Sequence, residues 1–426
     1  MGSAPAMRTM RGDRLHIGFF GRRNAGKSTL LNAITGHSVA IVSHIPGTTT
    51  DPVFKSMELA PVGPVVLIDT AGLDDSGLLG EERIKRTQSI LHKTDLALLV
   101  VDGSASGFEF EDALLTSFHI ENIPYIIILN KIDLPIHSAA LEWLKSREYI
   151  STGFGNDSGI LKLKQKIVEL APKEWEPPFL SDLIHPGEIV LLVVPIDLGA
   201  PKGRLIMPQV KALRDILDAD AIPVMCKERE LLTTLRSLSR KPALVITDSQ
   251  VFPQVDADVP SDILLTSFSI LSARQKGNLN QLVDAVLTVK SLKPGDRVLI
   301  AEACTHHPQE DDIGRVKIPR WLNQYVGGGL QIQTVQGSDF PEDLSQYRLV
   351  VHCGACTLNR KEMLNRQAIS TEQNVPITNY GVLISFLKGV FPRALKPFPH
   401  IYALFNEKDP VTDFRLKGRM ATMAEL

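Results

Sequence analysis

One octapeptide constrains this chain more than any other stretch: Gly21-Arg22-Arg23-Asn24-Ala25-Gly26-Lys27-Ser28. It fits G-x-x-x-x-G-K-[ST]. An apolar run at 15–20 precedes it and a helical stretch follows, so the spacing predicts strand, tight loop and helix. Glycines let such a loop wrap closely. Its backbone N–H groups, aided by the positive end of the helix, then face phosphate oxygens. Gly21, Asn24, Ala25, Gly26 and Thr29 are expected to line the phosphates. Lys27 is expected to bridge the β- and γ-phosphates, and the Ser28 hydroxyl to ligate Mg2+. The bland alternative, a glycine turn with an incidental lysine, does not explain the strand and helix on either side.

Around this loop the first 170 residues alternate strand-like and helix-like segments. Runs at 53–59 and 65–68 read as strands. Those at 96–101 and 125–129 are continuously apolar, as central strands buried on both faces should be. Helical stretches at 82–92 and 111–118 lie between them. This rhythm predicts an α/β fold with a parallel sheet and helices on both faces. Trp175-Glu176-Pro177-Pro178 breaks the pattern and reads as a linker. A second α/β block follows, with strands at 188–195, 221–225 and 243–247 and helices at 209–217 and 228–238. The Pro/Asp-rich stretch 252–262 reads as loop, and so does 325–330 with its Gly327-Gly328-Gly329. A third block begins near Ile270, with a helix at 279–289 and strands at 297–301, 347–351 and 375–378. The expected domains are 1–176, 177–268 and 269–426, within the two to four that 426 residues suggest.

Two further motifs follow strands. In Asp69-Thr70-Ala71-Gly72 the aspartate would reach Mg2+ through water and the Gly72 N–H would sense the γ-phosphate. In Asn130-Lys131-Ile132-Asp133 the last carboxylate can accept both N–H groups of guanine, whereas adenine offers the wrong pattern. Three motifs in order, each after a strand, point to a GTPase. The chain here resembles the translation-factor-like GTPases of the Era and TrmE type. By that resemblance Pro46-Gly47-Thr48-Thr49-Thr50-Asp51 looks like switch I, with Thr49 as the Mg2+-binding threonine and Thr50 where the pattern has arginine. Ser151-Thr152 stands where the family's guanine-supporting S-A-K motif lies; Ser272-Ala273 reads as a decoy. Leu73 occupies the position of a water-orienting glutamine and cannot orient water, so slow turnover is expected. Some such GTPases use K+ held by a P-loop asparagine, here Asn24; a loop-capping role is the alternative.

The four cysteines are Cys226, Cys304, Cys353 and Cys356, too sparse for a secreted disulfide scaffold. Cys226 reads as a buried structural residue. Cys304-Thr305-His306 and His352-Cys353-Gly354-Ala355-Cys356 each follow a predicted strand, the edge where α/β sheets bind ligands. The spacing admits a closed zinc site of three thiolates and a histidine, or an Fe–S cluster on three thiolates with one iron open. A redox C-x-x-C leaves Cys304 and His306 unexplained.

The arrangement C-x-H followed by H-C-x-x-C, behind a GTPase domain, resembles the HydF family of [FeFe]-hydrogenase maturation GTPases. Runs at 302–307, 338–341, 351–360 and 376–381 add to the likeness. The resemblance implies a [4Fe-4S] cluster on Cys304, Cys353 and Cys356, with His306 or His352 as candidate fourth ligand. It implies a scaffold and carrier that receives a transient diiron precursor from radical-SAM maturases and delivers it to apo-[FeFe]-hydrogenase. It also implies a dimerising middle block and a homodimer or higher oligomer.

Charge separates this reading from its rival. With 46 Lys+Arg against 48 Asp+Glu, no basic excess suggests nucleic acid. The rival is an RNA-associated Era/TrmE-like GTPase with a structural zinc module, and no KH-type GXXG loop supports it. No run of 18 apolar residues suggests a membrane span, and metal-binding thiols suit a reducing cytoplasm.

Overall fold

The computed structural model describes residues 11–36, 53–70, 87–153, 156–171, 177–195, 205–303, 312–337 and 340–409. The chain divides into two compact units, Met1–Trp175 and Glu176–Leu426.

The first unit is built on six strands: β1 Leu15–Phe20, β2 Val53–Leu59, β3 Gly63–Asp69, β4 Leu96–Asp102, β5 Tyr125–Asn130 and β6 Tyr149–Ser151. Their order is β2-β3-β1-β4-β5-β6, and only the β2–β3 pair is antiparallel. Every residue of β1 is buried, because alternate side chains feed two cores. Leu15, Ile17 and Phe19 pack with Leu31 of α1 (Lys27–Thr35) and Ile167 of α4 (Asp157–Leu170). On the opposite face Phe20 packs with Phe118 of α2 (Glu109–Ile120) and Leu144 of α3 (Ser138–Leu144). The expected α/β sheet with helices on both faces is what forms.

The second unit holds two parallel four-stranded sheets. One contains β7 Ile189–Val193, β8 Ile222–Cys226, β9 Leu244–Thr247 and β10 Leu264–Ser267 in the order β10-β9-β7-β8. The other contains β11 Arg297–Glu302, β12 Gln331–Gln336, β13 Leu349–His352 and β14 Ile377–Asn379 in the order β12-β11-β13-β14. Around them lie α5 Met207–Asp218, α6 Leu231–Ser237, α7 Phe252–Asp258, α8 Phe268–Lys276, α9 Leu279–Val286, α10 Ile318–Val326, α11 Arg360–Glu372, α12 Tyr380–Leu387, α13 Phe391–Leu395 and α14 Pro399–Lys408. One hydrophobic core runs through both sheets, joining Leu191 and Ile246 to Val298 and Val351 by way of Leu271 and Leu282.

Three local readings change. The stretch read as loop at 252–262 contains α7, with Pro253 in its first turn, where no backbone donor is needed; Phe252 and Val255 are buried. Within 325–330, Tyr325 and Val326 close α10, and Gly327 caps it at φ 90. The strands β10 and β12 were not expected; β12 is an edge strand of sequence QIQTVQ with little burial to shape its pattern. Ser272-Ala273 lies inside α8 rather than in a loop after a strand. Among the described residues no helix is long and apolar enough to cross a membrane.

Candidate functional site

The phosphate loop leaves β1 at Gly21 and bends through three left-handed residues, Gly21 (φ 137), Asn24 (φ 60) and Gly26 (φ 96). Glycine is needed at both ends. A Cβ on Gly21 would lie 2.2 Å from the Val100 carbonyl oxygen, and one on Gly26 2.2 Å from the Asn130 amide nitrogen. Gly26 caps α1 without a side-chain cap hydrogen bond, and the positive end of the helix faces the phosphate loop. Lys27 is buried, and its Nζ donates to the carbonyls of Gly21 (2.6 Å) and Arg22 (2.7 Å). Ser28 and Thr29 are exposed at the head of α1.

The other motifs converge on the same edge. The Ser28 hydroxyl donates to Asp69 Oδ2 at 2.6 Å, which brings the two expected Mg2+ residues together. Asn130 Nδ2 donates to the Ala25 carbonyl at 2.8 Å, and Thr152 Oγ1 donates to Asn130 Oδ1 at 3.0 Å. The Lys131 ammonium lies 2.7 Å from Asp102. Burial pushes the Asp102 carboxyl up, but hydrogen bonds from Lys131 and Ser104 outweigh it and hold it below its ordinary value. Gly153 leaves room for the Asp133 carboxylate: a Cβ there would sit 2.7 Å from Oδ1. Ser151 ends β6 beside Leu129. Thr49, Gly72 and Leu73 lie outside the described residues.

The cysteine site forms where β11 and β13 end. Their register sets Ala301 against His352, and the Cys353 N–H donates to the Ala301 carbonyl at 2.9 Å. The Ala303 N–H in turn donates to Cys353 Sγ at 3.1 Å. The residue before Cys304 therefore touches the first thiol of the C-x-x-C loop. Ala355 turns that loop with φ 53, and Cys353 and Cys356 are both half-buried. Cys304 and His306 lie outside the described residues, and among the described ones no group of three or more metal-ligating side chains assembles. Cys226 is buried at the end of β8, and burial raises its thiol.

His352 is fully buried with both ring nitrogens engaged: Nδ1 lies 2.9 Å from the Cys353 carbonyl and Nε2 3.0 Å from Arg366 Nη1. Burial and the adjacent guanidinium lower its pKa to about 3. Sequence reasoning gave no role to three residues packed around the cysteine loop, the buried Glu302 and Arg366 and the half-buried Tyr380. Glu302 accepts from Tyr380 OH (3.3 Å) and Gln336 (3.1 Å), Tyr380 is held protonated by burial, and Arg366 also donates to the Gly337 carbonyl. Glu302 and Tyr380 lie within runs that carry the family likeness and Arg366 lies in none, and the three meet only through β11, α11 and α12.

The first unit is a P-loop GTPase domain, and it is joined to a second α/β unit with two cysteines at a strand end. The family model for 50S ribosome-binding GTPases matches residues 16–131. The hydrogen maturase F dimerization domain matches 179–277, and the hydrogen maturase F tetramerization domain matches 280–397. The chain belongs to the hydrogen maturase F (HydF) family of hydrogenase-maturation GTPases. The tRNA modification GTPase MnmE of Nitrosomonas europaea is 40% identical over 152 residues, which is 35% of this chain and 33% of that protein. MnmE of Parasynechococcus marenigrum is 42% identical over 28% of this chain and 27% of that protein. The chain thus spans about a third or less of the length of these relatives. Among solved structures, the G domain of the T. maritima FeoB iron transporter is similar at 26% identity (TM-score 0.30), covering 37% of this chain and 99% of that one.

Proposed function

We propose that this GTPase is a scaffold that holds a [4Fe-4S] cluster on Cys304, Cys353 and Cys356 and carries a diiron subcluster precursor to apo-[FeFe]-hydrogenase. The observation that carries the reading is the β11–β13 register, with the Ala303 N–H on Cys353 Sγ. It supports three thiols in one place, and an N–H donor to sulfur suits a thiolate ligand. When bound, the cluster would supply an iron open to exchange, where the cargo from radical-SAM maturases docks. With both His352 nitrogens engaged, His306 is the better candidate for the fourth position. We assign dimerisation to 177–268 and cluster binding to 269–426, in a cytoplasmic homodimer or higher oligomer.

For the GTPase reaction, Ser28, Thr49 and Asp69 would hold Mg2+, Lys27 and Gly72 would face the γ-phosphate, and Asn130, Lys131, Asp133, Ser151 and Thr152 would hold guanine. Asn24, exposed and left-handed, would present its amide to K+. Hydrolysis is then slow and faster in K+ than in Na+. Equal rates in matched buffers, or K+ stimulation that survives Asn24→Ala, would overturn that assignment. GTP state would alter docking of partners, and unchanged partner association in Lys27→Ala would refute this coupling.

Anaerobic reconstitution followed by iron and sulfide analysis and EPR tests the scaffold. About four irons per chain are expected, lost in Cys304→Ser, Cys353→Ser and Cys356→Ser. One zinc and no sulfide would sink the reading.

A further inference from the structure

The phosphate loop is tied to α2 by an ion pair that none of the nucleotide motifs contains. Arg22, the second residue of the loop, donates from Nε to both carboxylate oxygens of Glu111, at 3.0 and 3.1 Å. Its Nη2 donates to the Gly107 carbonyl at 2.6 Å. Glu109 also approaches Nη2, at 3.8 Å, but its side chain is 90% exposed and contributes little. Glu111 is different: it is 1% exposed, and a carboxylate removed from water that completely requires a charged or hydrogen-bonding partner. It stands in the first turn of α2, and it directs its charge to the loop on the neighbouring strand.

The main chain of the same arginine anchors the loop from within. The Arg22 carbonyl accepts from Lys27 Nζ at 2.7 Å and from the Ala25 N–H at 3.2 Å. A chain of contacts therefore runs from Glu111 through the Arg22 side chain to the Arg22 peptide and on to Lys27. At the other end of the loop Asn130 holds the Ala25 carbonyl. Asn24, left-handed at φ 60, lies between these two tethers, and the left-handed Gly26 directly follows the second. Such a backbone is not the one an untethered loop prefers, and ordering it at the moment of binding would subtract from affinity.

We propose that Glu111 is a positioning residue for the nucleotide: through Arg22 it holds the phosphate loop ready before nucleotide arrives. It touches no phosphate. Its loss weakens nucleotide binding and leaves the chemical step alone, because the Lys27 and Mg2+ groups are still present once nucleotide is bound. The inference rests on GTP binding alone and is independent of the cluster reading.

The test uses the full chain with Glu111→Gln, Glu111→Ala, Arg22→Ala and the double alanine variant. Fluorescent GDP titration, GTP hydrolysis in a single turnover and melting temperature are measured for each. Glu111→Gln keeps the shape and packing of the side chain, so it serves if Glu111→Ala does not fold. Each single variant is expected to bind GDP about 10-fold more weakly, with saturated hydrolysis within about two-fold of the parent. The double variant should be no weaker than either single one, because both remove the same tether. Unchanged GDP affinity in Glu111→Gln overturns the proposal. So does a double variant whose loss is the product of the single losses, or a lowered melting temperature with normal affinity.

Discussion

Arg366 donates from Nη1 to His352 Nε2 across 3.0 Å inside the second unit. Arginine has no acceptor, so Nε2 must carry the lone pair and the proton must sit on Nδ1, donated to the Cys353 carbonyl. The histidine that opens the H-C-x-x-C run is thereby fixed in one tautomer, and it orients the loop that carries both thiols.

This arrangement makes stability depend on pH. The folded pKa of His352, about 3, lies below the unfolded value of about 6.5. The unfolded chain therefore binds the extra proton first, and stability falls as pH drops from about 6.5 toward 3. Iron-free protein should lose about 2 kcal/mol through this group between pH 7 and pH 5. Urea midpoints at the two pH values check this, and His352→Gln should show a smaller loss than the parent.

Arg366 is 5% exposed in its side chain and pairs with Glu362 at 3.3 Å. Arg366→Met removes the cation and leaves Glu362, His352 Nε2 and the Gly337 carbonyl each short of a donor. A loss of about 3 kcal/mol is expected in chemical denaturation. Arg366→Lys should recover only part of it, since an ammonium cannot span the same fork of acceptors.

The Ser28–Asp69 contact predicts the metal dependence of hydrolysis. Asp69→Asn should raise the Mg2+ concentration needed for half-maximal rate by about 10-fold or more. A titration of GTPase rate against Mg2+ reads this, and affinity for GDP without metal should stay near that of the parent.

Asp133 offers two acceptors and no donor, which matches the paired N–H groups of guanine. Asp133→Asn converts one acceptor into a donor and should transfer preference to xanthine nucleotides, whose ring carries an oxygen in place of the amino group. Loss of GTP binding by about 10^3-fold or more is expected in competition assays. A variant that still prefers GTP would show that Asp133 does not read the base.

Much of the first unit was legible because its signals are local. The strands β1, β4 and β5 are buried on both faces and read as unbroken apolar runs, and β1 and β5 each deliver a nucleotide motif at their C-terminal ends. Elements with weak local signals were harder. The β12 run, QIQTVQ, is polar at four of its six positions and lies at a sheet edge, so burial imposes no clean pattern on it. Pro253 read as a breaker, yet a proline in the first turn is compatible with α7.

The amino-acid sequence by itself determined the phosphate loop, the guanine motif and the clustering of cysteines behind strands, because each depends on residues a few positions apart. Only the tertiary structure decided which distant groups meet. Arg22 and Glu111 lie 89 positions apart, and His352 and Arg366 lie on different elements, 14 positions apart. Such pairs depend on which helix covers which strand end, and a buried charge finds its partner only after the sheets have closed around it.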